Sequence, residues 1–395
     1  MPLSSFDHAT INHYAHVKRE GSAKDSVITR QNFSDAITEI TTWENYAPTS
    51  LYELNALAKD IGVQAVYYKD EAPRFNLASF KALGGAYAAL RVLGDQLTTQ
   101  LGQAVTLRDI RAGHYKAEAA LMTMVSATDG NHGRSLAWGC QRFGIPCRIY
   151  IHTEVSEARA KAMRALGAAV IRIQGDYDAS VTFARQEAEK NGWFIISDTS
   201  WPGYQDTPRH VMAGYGVMVN ELCQKLDQAP SHVFLQGGVG GMAASIAAFL
   251  RQYWPDAQMR ICVVEPDLAA CLYESAINGH ATTVEIKKET VMAGLSCGAP
   301  SPLAWHILEA EVDDFLTITD ALVGPTMRLL ARPLLDDPKI TAGESAVAGL
   351  AVAIAACRRV DLRQDLGLER SSRILVFGSE GITDPEIYDQ MMAEA

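Results

Sequence analysis

The chain has no apolar run of the ~18 to 20 residues needed to cross a bilayer. Its longest candidate, Ala346 to Cys357, spans about twelve residues and predicts a buried helix instead. The opening stretch, MPLSSFDHATINHYAHVKRE, lacks both a basic n-region and an apolar h-region, so no secretory signal is expected. Cysteine is scarce. There are seven, none in a C-x-x-C pair, which excludes a disulfide framework and favours the reducing cytoplasm. One pair, Cys271 and Cys297, falls near segments expected at the site described below. Basic charge is also in deficit: 35 Lys and Arg against 46 Asp and Glu give a formal balance of −11. That balance excludes nucleic acid or an anionic membrane as a general partner, while leaving room for a small anion held by a few local groups. No repeat period or low-complexity tract is present, which excludes solenoids and propellers.

What is present is an ordinary globular mixture, 48% hydrophobic and 21% charged, in a chain of 395 residues. That length predicts two or three domains, or one large fold with an insertion. The first ~40 residues are polar and weakly patterned, and read as an arm. Beyond them helix-like and strand-like segments alternate. Leu51 to Ile61 carries a helical apolar stripe closed by Gly62, and Val63 to Tyr68 reads as a strand. Arg148 to His152, Ala169 to Ile173 and Trp193 to Ser197 read as strands separated by helices over Ser156 to Leu166 and Asp178 to Lys190. In the second half, strands are expected at Val233 to Gln236, Arg260 to Glu265 and Arg373 to Phe377, with a helix over Met242 to Leu250. Such alternation predicts an α/β fold with parallel sheets covered by helices, a boundary near Trp201 to Pro208, and ligands outside the carboxyl ends of strands.

Three motifs could carry chemistry, two of them at such strand ends. Gln236-Gly237-Gly238-Val239-Gly240-Gly241-Met242 follows a strand and opens a helix, so its N–H groups and the helix N-terminus suit a phosphate. It also fits the dinucleotide pattern G-x-G-x-x-A, with Glu265 at the end of the next strand available to a ribose, and a plain turn is the remaining reading. Lys81 stands among Phe80, Leu83, Gly84 and Gly85; desolvated there, it would be a nucleophile towards an aldehyde, and otherwise it is a surface lysine. Thr128-Asp129-Gly130-Asn131-His132 is turn chemistry that also offers N–H groups to a carboxylate. Asp129 with His132 lacks the further spaced ligands of a metal site, so no metal is expected.

Taken in order, Ser79-Phe80-Lys81, the Asp129 to His132 turn, the glycine loop and Gly378-Ser379-Glu380-Gly381 resemble the fold type II family of pyridoxal-phosphate enzymes, related to the tryptophan synthase β chain. The resemblance runs from about Pro48 to Gly381. It implies two three-layer domains with parallel sheets and the cofactor, pyridoxal 5'-phosphate, in the cleft between them. Residues 1–72 and 207–395 would form the large domain and 73–206 the small one. It further implies that Lys81 bonds the cofactor aldehyde, that Phe80 lies against the ring, and that Asn131 bonds the 3-hydroxyl oxygen. Gly237, Gly238, Val239, Gly240 and Gly241 would cradle the phosphate, and Ser379 would face the pyridine nitrogen. A hydroxyl at that position goes with β-elimination or β-replacement.

Within the family, Asp129 stands where hydroxy-amino-acid dehydratases carry a small neutral residue, and Ala82-Leu83-Gly84 departs from their usual x-Arg-Gly. A carboxylate beside the substrate carboxylate repels it unless the substrate brings a second positive charge, as an ammonium on Cβ does. With Asp198-Thr199-Ser200-Trp201-Pro202-Gly203-Tyr204, these motifs resemble the diaminopropionate ammonia-lyases. The resemblance implies elimination of ammonia from 2,3-diaminopropionate to give pyruvate and two ammonia, with Asp198 as base for the L-isomer and Asp129 for the D-isomer. It also implies a cytoplasmic homodimer serving amino-acid catabolism. Read from residues alone, Asp198 is also readable as an N-cap at a strand-to-helix turn. A serine or threonine dehydratase of the same fold, or a non-catalytic protein that carries the cofactor, are the alternative readings.

Overall fold

The computed structural model describes residues 3–18, 27–128, 130–175, 177–334 and 336–393. Two compact units emerge, one of residues 1–30, 47–80 and 218–395, the other of residues 31–46 and 81–217.

The first unit is built on a seven-stranded sheet with the order β1-β10-β9-β8-β11-β3-β2. Its strands are β1 (Ile11–Ala15), β2 (Leu51–Glu53), β3 (Ala65–Asp70), β8 (His232–Gln236), β9 (Arg260–Pro266), β10 (Asp314–Ile318) and β11 (Arg373–Gly378). The five inner strands are parallel, and only the edges β1 and β2 run antiparallel. Parallel strands covered on both faces need near-continuous apolar runs. Val233, Phe234 and Leu235 of β8 and Ile261 to Val264 of β9 are fully buried. The Ala346 to Cys357 run forms the buried helix Ala348–Arg358, packed against the same core.

Two expectations are corrected here. The polar opening segment is not a free arm: β1 pairs with β10 in the register Ile11 with Ile318 through Ala15 with Asp314. Its pairing shows no apolar alternation because polar side chains dock it. Asn12 donates to Thr317 Oγ1 at 2.9 Å, and His13 Nε2 meets Asp314 Oδ1 at 2.7 Å. The Leu51 to Ile61 stretch is not one helix either. Leu51–Glu53 is an edge strand on β3, and the helix runs only over Asn55–Ile61, stopped by Gly62 at φ +70°. Leu51 and Leu54 stand at a helical spacing, but pairing of Leu51–Glu53 with β3 overrides it and Leu54 becomes the residue before the helix.

The second unit holds a four-stranded parallel sheet in the order β6-β5-β4-β7, made of β4 (Met124–Ala127), β5 (Cys147–Ile151), β6 (Ala169–Arg172) and β7 (Phe194–Ile195). The expected β-α-β-α-β run is present, its first helix Glu157–Ala165 capped by the Ser156 hydroxyl and its second spanning Tyr177–Asn191. Strand β7 is shorter than the expected Trp193 to Ser197. Ile196 N–H makes the last ladder bond, to Val125 O at 2.8 Å. Beyond it side chains take over: Tyr204 Oη donates to Ile195 O at 2.7 Å and accepts from Ser197 N–H at 3.0 Å. Among the described residues no helix is long and apolar enough to cross a membrane.

Candidate active site

In the first unit, β8 ends at Gln236, the glycine loop follows, and helix Gly241–Tyr253 begins at once. A side chain at Gly237 would place its Cβ 2.7 Å from Leu272 Cδ1, and Gly240 sits at φ +94°. The sequence therefore folds into a bare backbone loop at a helix N-terminus, whose dipole favours a phosphate, while Gly237 itself gives its N–H to Val264 O at 2.8 Å. Gln236 ties this cradle to the end of β11: its Nε2 donates to Ser379 Oγ at 2.9 Å and to Phe377 O at 2.8 Å. Ser379 is buried, and an oxygen already accepting from Gln236 keeps its own O–H to donate, which suits an unprotonated ring nitrogen. Phe80 N–H donates to Ser379 O at 2.9 Å, so the Ser79-Phe80 segment is fixed alongside β11. The cradle and the hydroxyl together fit a phosphorylated pyridine.

Glu265 does not offer itself to a ribose. It is fully buried and accepts N–H bonds from Leu272 at 2.9 Å and Tyr273 at 2.6 Å, at the start of helix Cys271–Asn278. Burial pushes its carboxyl up to about 8 against those two donors. All seven cysteines are free; Cys271 donates its S–H to Gly238 O at 3.6 Å.

In the second unit, Lys81 lies in a helical turn, Phe80–Leu83, that leads into helix Gly84–Leu101. The paired glycines are packing residues. A Cβ on Gly84 would come 2.8 Å from Val211 Cγ1, and one on Gly85 2.8 Å from Ser135 Oγ. Close approach of these helices sets the lysine's backbone, and Ala86 N–H completes the contact by donating to Ser135 Oγ at 3.1 Å. Lys81 is not a desolvated lone amine. Its Nζ donates to Asp198 Oδ2 at 2.8 Å, with side chains 23% and 14% exposed. Burial alone would raise the Asp198 carboxyl, but the charge of Lys81, the neighbouring His132 and the Lys81 hydrogen bond together outweigh it and hold it well below the usual carboxylate range. Asp198 is thus an ionised acid against a lysine rather than a helix cap.

Asn131 is the first residue of helix Asn131–Phe143, directly after the turn from β4. Asp129 lies outside the described residues. His132, weighed in the sequence only as a metal partner of Asp129, is fully buried, with Nε2 2.9 Å from Ile196 O and Nδ1 3.9 Å from Asp198 Oδ2. No cluster of three or more His, Cys, Asp or Glu able to hold a metal occurs among the described residues. Sequence reasoning missed Gln236, His132 and Tyr204 as site residues. All three stand at the ends of quoted motifs: Gln236 opens one, and His132 and Tyr204 each close one.

A family model described as pyridoxal-phosphate dependent enzyme matches residues 42–379. The chain belongs to this family. Its cofactor is pyridoxal 5'-phosphate and its architecture is fold type II. Diaminopropionate ammonia-lyase of Escherichia coli K12 is 36% identical over 356 residues, covering 88% of each chain. The crystal structure of that Escherichia coli enzyme in complex with an aminoacrylate-PLP azomethine reaction intermediate superimposes with a TM-score of 0.87 at 32% identity, covering 98% of this chain and 97% of that one. The biosynthetic L-threonine dehydratase of Escherichia coli K12 is 25% identical over 253 residues, 64% of this chain and 45% of its own length.

Proposed function

We propose that this protein is a diaminopropionate ammonia-lyase, eliminating ammonia from 2,3-diaminopropionate and yielding pyruvate and two ammonia. The observation that carries the reading is the acid on the lysine: Asp198 Oδ2 at 2.8 Å from Lys81 Nζ. Hydroxy-amino-acid substrates bring no second cation, whereas diaminopropionate carries an ammonium on Cβ that a carboxylate-lined site favours. The identity and coverage of the ammonia-lyase relatives, set against the lower figures for the threonine dehydratase, support the same choice.

Lys81 would hold the cofactor aldehyde, Phe80 would cover the ring, and Asn131 would bond the 3-hydroxyl oxygen. Gly238, Val239, Gly240 and Gly241 would bind the phosphate through the loop backbone, Gly237 would leave room beside it while its N–H stays on Val264 O, and Ser379 would donate to the pyridine nitrogen. When bound, pyridoxal phosphate supplies the electron sink that acidifies the substrate Cα–H. Asp198 takes that proton from the L-isomer and Asp129 from the D-isomer, and the β-amine departs as ammonia. The acidic balance and the unbridged cysteines support a cytoplasmic small-molecule enzyme, which we read as a homodimer.

The test is an exchange of losses. Asp198→Asn should lower turnover of L-diaminopropionate far more than of the D-isomer, and Asp129→Asn the reverse. Equal losses with both enantiomers in both variants would reject the two-base assignment.

A further inference from the structure

The end of β7 places Asp198 with no strand partner beyond Ile196, and His132 is the residue that makes good the gap. A carbonyl only accepts hydrogen bonds, so the Nε2 nitrogen 2.9 Å from Ile196 O carries the ring proton. Burial lowers the basicity of His132 against the opposing pull of Asp198, which favours the neutral ring. Neutral imidazole protonated on Nε2 has a bare lone pair on Nδ1. That Nδ1 is buried, makes no hydrogen bond among the described residues, and faces Asp198 Oδ2 across 3.9 Å.

Two acceptors facing each other repel weakly, and a hydrogen gained by either of them during turnover turns that repulsion into attraction. Lys81 donates to this same Oδ2 oxygen when its amine is free. We propose that His132 is a positioning residue for Asp198, its Nδ1 lone pair placed to accept a hydrogen bond from the carboxyl group once Asp198 has taken the substrate proton. The inference rests on the reading of Asp198 as the L-specific base. The step balances: the substrate C–H bond breaks, its electron pair stays with the substrate, the proton forms the Asp198 O–H, and that O–H points to Nδ1 instead of to water. A rotation of the carboxylate by about 1 Å closes the present gap to hydrogen-bond length. Tyr204 also fixes the backbone here, since its hydroxyl bonds Ile195 O and Ser197 N–H, the peptide groups just before Asp198.

His132→Gln keeps an amide N–H for Ile196 O and deletes the Nδ1 acceptor, whereas His132→Asn offers an amide oxygen where Nδ1 stood. In the holoenzyme, His132→Gln should lower kcat for L-diaminopropionate at least ~10-fold with KM within ~3-fold. The Cα-deuterium isotope effect on kcat should rise, D-isomer turnover should stay within ~2-fold, and the visible cofactor absorbance should not change. His132→Asn should recover part of the loss. A uniform loss with both enantiomers, accompanied by loss of the cofactor absorbance, would reduce His132 to a structural residue and overturn the proposal. So would an unchanged isotope effect. Should the glutamine variant fail to fold, histidine nitrogen NMR on the wild-type protein decides the matter without and with cofactor. A neutral Nε2–H tautomer supports the proposal, and an Nδ1–H tautomer or a charged ring overturns it. If the wild-type protein turns over neither enantiomer, the functional reading fails instead, and the tautomer measurement still stands by itself.

Discussion

Lys81 Nζ and Asp198 Oδ2 lie 2.8 Å apart, although 117 positions separate the two residues in the chain. The pair joins the amine that would bind the cofactor to the acid that would deprotonate the substrate. Its consequence is reciprocal. While the amine is free it keeps the carboxylate ionised, and once the amine is engaged the carboxylate loses its strongest reason to stay charged. A base that becomes more basic when the cofactor is in place is suited to taking a proton near neutral pH.

Lys81→Ala should abolish the red shift of the pyridoxal phosphate absorbance that bonding to the lysine produces, leaving the spectrum of the free cofactor, and lower turnover by more than ~10³-fold. Absorbance titration of the variant beside wild type checks this. The same substitution should raise the Asp198 carboxyl towards its ordinary value, because the lowering partner is gone. Stability supplied by the ionised acid is present above its unfolded pKa and lost as pH falls through the depressed folded value. The variant should therefore show a smaller decline in Tm on acidification than wild type.

Gly240→Ala places a side chain at φ +94° with its Cβ 2.9 Å from Leu308 Cδ1. The left-handed conformation alone costs ~1–2 kcal/mol, and relieving the contact would shift the phosphate cradle. Cofactor affinity should fall by at least ~10-fold on that basis, read as the dissociation constant from fluorescence quenching. Gly279→Ala, also at positive φ but with nothing near its Cβ, should destabilise without weakening cofactor binding.

Arg74→Met should be the most destabilising of these substitutions. Lys69, Glu71, Arg74 and Glu221 form a buried set of two cations and two anions, with Arg74 bonded to Glu71 Oε2 and Glu221 Oε1 at 2.8 Å each and Lys69 to Glu221 Oε2 at 2.6 Å. Removing one cation strands a buried carboxylate, at a cost of ~3–5 kcal/mol. Urea denaturation gives the loss as a lower midpoint. Arg74 also precedes three non-glycine residues at positive φ, Phe75, Asn76 and Ala78, so the loop before Lys81 should become more susceptible to proteolysis.

Glu265 gives a pH dependence of opposite sign to that of Asp198. Its folded carboxyl is raised to about 8 by burial, above the ordinary value near 4.5. The native state holds its proton more tightly than the unfolded chain does, so this group's contribution to stability falls as pH rises from about 4.5 to about 8 and then levels off. Glu265→Gln should remove that slope. Tm measured from pH 4 to 9 for both proteins gives the difference curve, and parallel curves would show that Glu265 is ionised in the native state.

The parts of the site legible in the sequence are those written in consecutive residues. The glycine loop, the Ser79 to Lys81 segment and the Ser379 strand end each carry their chemistry locally, and the alternating apolar runs at β5, β6, β8, β9 and β11 announced the parallel sheets. What was hidden depends on partners distant in the chain. Strand β1 is docked by Asn12 and His13 onto β10, so it lacks the apolar alternation that marks a strand. Strand β7 stops early because Tyr204 and His132 take the polar groups of its last residues. Lys81 looked desolvated because its charge partner lies 117 positions away. A local pattern reports which groups are present, and only the fold determines which of them meet.

The most direct measurement is the ratio of ammonia to pyruvate released from L-diaminopropionate, run beside L-serine and L-threonine at equal concentrations. The account predicts two ammonia per pyruvate from diaminopropionate, with kcat/KM exceeding that for either hydroxy amino acid by at least ~100-fold, the scale a desolvated charge contact confers. Faster deamination of serine or threonine, with diaminopropionate left intact, would contradict it.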